Sequence, residues 1–542
     1  VREEASACFR SQFPNGIRIS HPGPYGTKLT LGEVPISTRA PRTFLQLDGG
    51  PLPEITVLLG GLDHRRMIAC ACPYCLGHSF VNRHRAADPA RPFMPRPVVM
   101  DDYKNCLGLV YRMVYDVNPN LEPKLLRQVP LAYSGAKRLA AFKTVERMER
   151  EEGLCGRFSF DPFVKNEKAD IWLVWSKVLS CFTPSARPRA IVPQIIWHPD
   201  GHKSNAPILE ELRWGSPLEH CLEQMRNTDG SRMFASGRTL DQRAEDLTAM
   251  FRPGCVALSI DLSSFDGSQG HLAVAERAAF LEFWRKKGCD VAQLEKVLKA
   301  QNVISFGSEA LRGKIYGNRA SGTGRTSSGN KVVMMAALFH AFRCADDVTF
   351  YCDGDDTIIF IPKRRLGRRI RNFLARMVGL GLETKIEGTA QCPEEIVFCR
   401  AKIVELPGGP KLVKKPLAAF CSMTAVTKHF KGPEMYEYLS SVATSYKHVY
   451  AGVPILGKLH CMYPCDRGIK LSLLDQWDQD FYRKNSVGQE VPEVADSTRL
   501  SFARAFGITP ELQIEIESLL SGMLKTSPAA FKNAVRFTRG SL

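Results

Sequence analysis

The sequence predicts an α+β fold built around an antiparallel sheet, and three stretches carry that reading. "VTFYC" and "TIIFI" are short apolar runs rich in β-branched and aromatic residues, set on either side of the tip "DGDD" at residues 353–356. Asp-Gly between two such runs signals a hairpin. "VALSI" reads as a third strand ending at Asp261, and beyond it Leu272, Ala275, Ala279 and Phe283 share one face of a helix. Residues 401–542 read mainly as helices with polar loops.

The hairpin tip poses the chemical question. Asp353, Asp355 and Asp356 crowd one turn. Asp and Gly are ordinary turn residues, so one acid is expected there, but three repel one another. Hard divalent cations would compensate them, because such ions take oxygen ligands. A second acidic pair fits the same idea: Asp261 ends its strand and Asp266 follows five residues later, past a Ser-rich turn. Acids at a strand end and at a hairpin tip can hold two ions about 3.5–4 Å apart, the arrangement that supports in-line phosphoryl transfer. A strand-end cap accounts for Asp261 alone but not for the set.

Between the two acidic stretches lies "SGTGRTSSGN", which runs into a long apolar helix. Ser321, Thr326 and Asn330 stand among glycines 322, 324 and 329. Glycine lets such a loop approach a ribose or a base pair closely, and Asn330 offers an amide to a 2′-hydroxyl. Ser/Thr capping of a helix would explain one or two of these residues. Upstream, "FVKNEKAD" and "SARPRAIVPQ" bring Lys165, Lys168, Arg187 and Arg189 beside strand-forming "AIV". This suggests a basic β-ribbon whose guanidinium groups could grip a triphosphate.

Composition is that of a large, basic chain, for which a basic surface with no specific partner is the plain reading. The chain has 542 residues, 44% of them apolar, enough for several subdomains. Its net charge of +17 and pI near 9.2 favour a polyanionic partner, either nucleic acid or an acidic membrane surface. Seventeen cysteines, an odd number and mostly scattered, fit a reduced intracellular protein rather than a disulfide scaffold. No apolar run reaches the length of a transmembrane helix, and no signal peptide opens the chain. The first residue is Val1, which fits a processed, truncated or readthrough product. Cys70, Cys72, Cys75, His78 and His84 form a cluster compatible with zinc, although the spacing is not that of a standard finger and chance clustering is the preferred reading. Residues 363–377 carry Lys363, Arg364, Arg365, Arg368, Arg369, Arg371 and Arg376 opposite an apolar stripe of Ile370, Phe373, Leu374 and Met377. A solvated helix face is the plain reading, but such density with no acid in the run favours RNA or an anionic lipid.

In order and spacing, these elements resemble the motifs of viral RNA-dependent RNA polymerases. Asp261 and Asp266 meet the motif A pattern. Ser321, Gly322, Thr326 and Asn330 meet motif B, and Gly354, Asp355 and Asp356 meet motif C. The Lys165–Arg189 region is similar to motif F, and "VFCRAKIV" to motif E. Within the class, "SGTGRTSSGN", "CDGDD", "EEIVFCRAKIV" and "AGVPILGKLHCMY" look most like the tombusvirus-like group of positive-strand viruses. Ser264 and Gly267–Ser268 depart from that group's usual Arg and Gln-His.

The resemblance implies a right-hand polymerase with fingers, an antiparallel palm sheet and a mainly helical thumb. Residues 1–100 would form fingertips or a linker and 101–250 the fingers. Residues 251–405 would form the palm, with a fingers insertion near 288–318, and 406–542 the thumb. It implies two Mg2+ or Mn2+ ions on Asp261, Asp355 and Asp356. Asp266 and Asn330 would read the ribose, and Ser321 and Thr326 would tune the loop. Lys165, Arg187 and Arg189 would bind the incoming triphosphate, and Lys385 would serve as a general acid. Partners would be template and nascent RNA, nucleoside triphosphates, other viral replication proteins, and host membrane reached through upstream residues. The setting would be a membrane-associated replication complex in host cytoplasm. A reverse transcriptase and a non-catalytic RNA-binding scaffold are the competing readings. Tyr351, standing where cellular silencing polymerases carry an acid, argues against those enzymes. Asp353 has no role in this scheme.

Overall fold

The computed structural model describes residues 95–161, 194–262, 265–307, 312–364, 366–423, 432–462, 468–474, 476–485 and 492–523. It also describes the short pieces 56–57, 66–68, 163–164, 168–170, 173–176, 181–184, 190–191 and 425–426. In chain order, the elements that position the site begin with α1 (Pro97–Val117), α2 (Gly135–Arg150), β1 (Arg157–Phe160), β2 (Gln194–Trp197), α3 (Ala206–Gln224) and α4 (Leu240–Met250). Next come β3 (Cys255–Leu262), α5 (Gly270–Lys286), β4 (Val303–Gly307), β5 (Arg312–Tyr316) and α6 (Thr326–Phe342). Then follow β6 (Thr349–Asp353), β7 (Asp356–Pro362), α7 (Leu366–Gly379), β8 (Thr384–Ala390), β9 (Ala401–Leu406) and β10 (Gly409–Lys414).

The centre is a four-stranded antiparallel sheet in the order β6-β7-β3-β8. Both of its faces are covered, which explains the nearly unbroken apolar runs of its inner strands. Val256, Leu258 and Ile260 of β3 face the main core with Phe280, Val332, Phe350, Ile359, Phe373 and Met377. Ala257 faces a second core with Tyr351, Ile358, Phe360, Ile396 and Phe398. The outer edge of β6 is not bare: the amide of Ala235 donates to Cys352 O and the amide of Cys352 to Met233 O, both at 2.9 Å.

Helix α6 is buried nearly all round because it runs through the middle of the main core. α7 is amphipathic as expected. Phe373 and Met377 are buried, and Leu366, Ile370 and Leu374 pack on the same core. One expectation for its basic face changes. Arg369 is held bidentately by Asp347, an acid outside the run, and Arg376 donates to Ala341 O at 2.7 Å.

A five-stranded sheet, in the order Lys203–Ser204, β2, β1, β4, β5, draws its strands from both before and after β3 in sequence. Past the central sheet, β9 and β10 form a hairpin with Val397–Phe398. Strand structure therefore extends to Lys414, into the region read as mainly helical. Val404 and Val413 of that hairpin lie in a third core with Leu439, Tyr450, Leu456 and Phe502 from the helices that follow. Among the described residues no helix is long and apolar enough to cross a membrane.

Candidate active site

The acids gather at one end of the central sheet because the register brings them there. β6 and β7 pair with Asp353 opposite Asp356, leaving a two-residue loop of Gly354 and Asp355. Gly354 has φ +71°, the conformation a tight hairpin turn demands at its first loop position. The β3–β7 ladder ends at Ile260 opposite Thr357, so Asp261 and Asp356 lie side by side just past its last pair. On the other flank Asp261 pairs with Lys385 of β8, which puts the exposed lysine on the same face of the sheet. Between Ser259 and Ile260 the β3–β8 register slips, and Glu387 is the extra residue of that bulge.

The electrostatics mark the site. Burial, then the charges of Asp355, Asp353, Glu387 and Asp261, push the Asp356 carboxyl up to about 6. The crowded carboxylates give this end of the sheet a high negative charge from oxygen groups, the chemistry that suits hard divalent ions such as Mg2+ or Mn2+. The acids share the end of the sheet without converging on one point. Among the described residues, the group of three whose ligand atoms all lie within 4.8 Å is elsewhere, at Glu151, Cys155 and His198.

Asp353 acquires a role that sequence alone did not supply. Arg243 of α4 holds its carboxylate at 2.8 Å, and the Cys399 thiol lies 3.8 Å from the same oxygen. The neighbouring residues of α4 continue the support: Tyr351 Oη donates to Asp246 at 2.9 Å, and Arg238 pairs with the same carboxylate. One of the three hairpin acids is thus neutralised by a fixed cation.

Asp266 is buried and lies in a hydrogen-bonded set. Ser321 Oγ donates to one of its oxygens and Asn330 Nδ2 to the other, the latter at 2.8 Å. Gln269 Nε2 donates to Asn330 Oδ1 at 2.7 Å. The structure therefore brings Asp266, Ser321 and Asn330 together. Thr326 folds the loop itself: its hydroxyl accepts from the Gly322 amide at 3.2 Å and reaches Ala320 O at 3.0 Å. Glycine is needed at 324 because a Cβ there would meet Ile208 O at 2.4 Å.

Behind the loop, Glu276 of α5 is fully buried and binds two guanidinium groups, Arg319 at 3.0 Å and Arg325. These arginines flank the loop on its two sides. Arg325 also stacks its guanidinium 3.2 Å above the Phe280 ring. Glu211 accepts from the Gly324 amide at 2.7 Å and anchors the loop to α3.

Lys165, Arg187, Arg189 and the Cys70–His84 cluster fall outside the described residues, as do Ser264 and Arg365. The strands around the basic region are described: Phe163–Val164 pairs with Ala190–Ile191, and Leu173–Ser176 with Cys181–Pro184. Sequence reasoning missed Arg243, Glu276, Gln269, Arg319 and Glu387. Glu387 carried a faint signal, since it alternates with Lys385 along a strand; the others are brought in by tertiary packing.

Residues 217–524, more than half of the chain, match the family of viral RNA-dependent RNA polymerases. The match includes every candidate residue from Asp261 to Lys385 and lies downstream of Lys165, Arg187 and Arg189. The chain is 25% identical over 416 residues to the RNA-directed RNA polymerase of Red clover necrotic mosaic virus, an alignment covering 73% of this chain and 51% of the relative. It is 25% identical over 426 residues to that of Tobacco necrosis virus (strain D), covering 73% and 55%. With the polymerase of Pothos latent virus the identity is 25% over 443 residues, covering 79% and 55%. The chain spans about half the length of these relatives. The acidic sheet end, the glycine loop and the sequence match agree: this chain belongs to the viral RNA-dependent RNA polymerase family.

Proposed function

We propose that the chain copies an RNA template by nucleotidyl transfer, adding ribonucleotides to a growing strand and releasing pyrophosphate. The observation that carries this is Asp356, raised to about 6 by burial and by Asp355, Asp353, Glu387 and Asp261 at the end of a buried sheet. Asp261, Asp355 and Asp356 would hold two Mg2+ or Mn2+ ions. Such ions, when bound, lower the pKa of a 3′-hydroxyl and stabilise the charge on the leaving oxygen.

The chain's own residues do the rest. Asp261 and Asp356 sit on strands, and Asp355 sits in the two-residue turn that those paired strands hold tight. Asp266, locked by Ser321 and Asn330, presents a polar edge to the ribose, so a 2′-hydroxyl can be told from a hydrogen. Lys385, which pairs with Asp261, would give a proton to pyrophosphate. Lys165, Arg187 and Arg189 would receive the triphosphate. In this reading the central sheet with its helices is the palm, spanning 251–405 with a fingers insertion near 288–318. Residues 101–250 supply fingers and 406–542 a thumb.

Primer-extension and de novo synthesis assays on purified protein, with and without Mg2+, test the proposal. The expected result is metal-dependent incorporation of ribonucleotides in preference to deoxyribonucleotides. In Asp355→Ala it should fall by about 10³-fold, roughly 4 kcal/mol of transition-state stabilisation, with RNA binding retained. Preference for deoxyribonucleotides would favour reverse transcription. Full activity in a folded Asp355→Ala protein would remove the two-metal reading.

A further inference from the structure

Away from the acidic sheet end, the last turn of α2 meets the start of the five-stranded sheet. Glu151 caps α2, and Cys155 lies between α2 and β1. His198 directly follows β2, the strand that pairs with β1 with Trp197 opposite Arg157. These three side chains turn their ligand atoms toward one another. Glu151 Oε2 lies 2.8 Å from Cys155 Sγ and 3.4 Å from His198 Nδ1, and Cys155 Sγ lies 3.6 Å from His198 Nδ1.

The distances have a chemical meaning. Donors around a tetrahedral zinc, with Zn–S near 2.3 Å and Zn–N or Zn–O near 2.0–2.2 Å, stand about 3.3–3.6 Å apart. Two of the three separations already have that value. The third is that of a thiol donating to a carboxylate, and it would open when the thiol proton leaves. The surroundings also orient the donors. Arg147 lies 3.9 Å from Glu151 Oε1, which leaves Oε2 turned toward Cys155 and His198. His198 is buried, its side chain 6% exposed, and its ring stacks at 4.2 Å on His202. Its Nε2 finds no hydrogen-bond partner among the described residues, so the polar contacts of this buried imidazole are on the Nδ1 side. His202 is itself fixed by Asp200 and by Arg147, whose Nη1 lies 2.8 Å from its Nδ1.

We infer that Glu151, Cys155 and His198 form a zinc site, open to water at its remaining position, that ties the end of α2 to the β1–β2 pair. One thiolate and one carboxylate neutralise a divalent ion, and the mix of sulfur, imidazole and oxygen selects zinc over magnesium or calcium. Glu151 and Cys155 are exposed, so water can complete the coordination. The ion would fix both strands that lead into and out of residues 161–193, the region of Lys165, Arg187 and Arg189. The inference does not depend on the polymerase reading, and its test needs no catalysis.

The test is metal analysis of the purified full chain after equilibration with zinc and removal of excess. One equivalent of zinc is expected to disappear in Cys155→Ser and in His198→Asn and to persist in the Cys72→Ser/Cys75→Ser double variant. Serine is nearly isosteric at the exposed Cys155, so this variant keeps its fold. The Co2+-loaded protein should show a thiolate-to-cobalt charge-transfer band that Cys155→Ser lacks, and hydrogen exchange in β1 and β2 should quicken in that variant. Zinc content that is unchanged in Cys155→Ser, that is lost only in the Cys72/Cys75 variant, or that is absent from the parent would overturn the inference.

Discussion

Arg243 Nη1 lies 2.8 Å from a carboxylate oxygen of Asp353, and this pair explains how a tight turn holds three acids. The arginine comes from α4, more than a hundred residues upstream of the hairpin. It neutralises the acid on the far side of Gly354 from Asp355 and Asp356. Asp353 therefore belongs to the hairpin's support.

Removing Arg243 should strand that charge. Both side chains are mostly shielded, at 18% and 30% exposure, so Arg243→Gln should cost about 1–2 kcal/mol of stability. Asp353→Asn should cost a similar amount. The double variant should recover part of the sum, with a coupling of about 1 kcal/mol. Urea unfolding of the four proteins checks this, and strict additivity would show that the pair carries no interaction.

Asp356 makes a prediction about pH. Its carboxyl in the folded protein is raised to about 6, above the ordinary aspartate value that it regains on unfolding. The folded state therefore holds the proton more tightly. The stability this group contributes is fully present below the unfolded pKa and is lost as pH rises through about 6. In the metal-free protein, Asp356→Asn should melt higher than the parent at pH 7.5 and equally at pH 3.5. Added Mn2+ should raise the parent's melting temperature at pH 7.5 and leave the variant's nearly unmoved.

Discrimination between sugars should depend on the Asp266 set. Asn330→Ala removes the donor 2.8 Å from Asp266, and Asp266→Ala removes the acceptor shared with Ser321. Each should erode the preference for ribonucleotides by about tenfold or more. Competing ATP against dATP in single-nucleotide extension measures it. Intact discrimination in both active variants would place sugar selection elsewhere.

The basic face of α7 should bind polyanions. Arg369 is excluded because Asp347 holds it, so the informative set is the exposed trio Arg364, Arg368 and Arg371. Changing all three to Gln should weaken RNA or anionic-liposome binding and reduce the salt slope by about 2–3, while synthesis at low salt continues. Affinities and slopes equal to the parent's would make the face merely solvated.

What the sequence revealed and what it hid follow one physical line. The β6–β7 hairpin, strand β3, the α7 stripe and the glycine loop all announce themselves through local periodicity or turn chemistry. Asp261, Asp266, Ser321, Asn330, Asp355 and Asp356 sit on those elements and were found with them. Arg243 and Glu276 act through contacts between distant segments, and no pattern in a single segment encodes them; Glu151 and Cys155 lie four residues apart, but only the fold brings His198 to them. The β9–β10 hairpin was only half seen, because "GPKLVK" lacks the β-branched density of the central strands.

Glu276 constrains how this chain can change over generations. It answers two buried guanidinium groups at once, so replacing Glu276 leaves both positive charges buried without their carboxylate. Breaking such a pair costs about 3–5 kcal/mol, comparable to the whole margin of a marginally stable protein. A lineage cannot lose Glu276 first, while both arginines remain. Either arginine can be exchanged while the other still answers the carboxylate, so Glu276 is the fixed point around which the rest of the glycine loop's surroundings can drift.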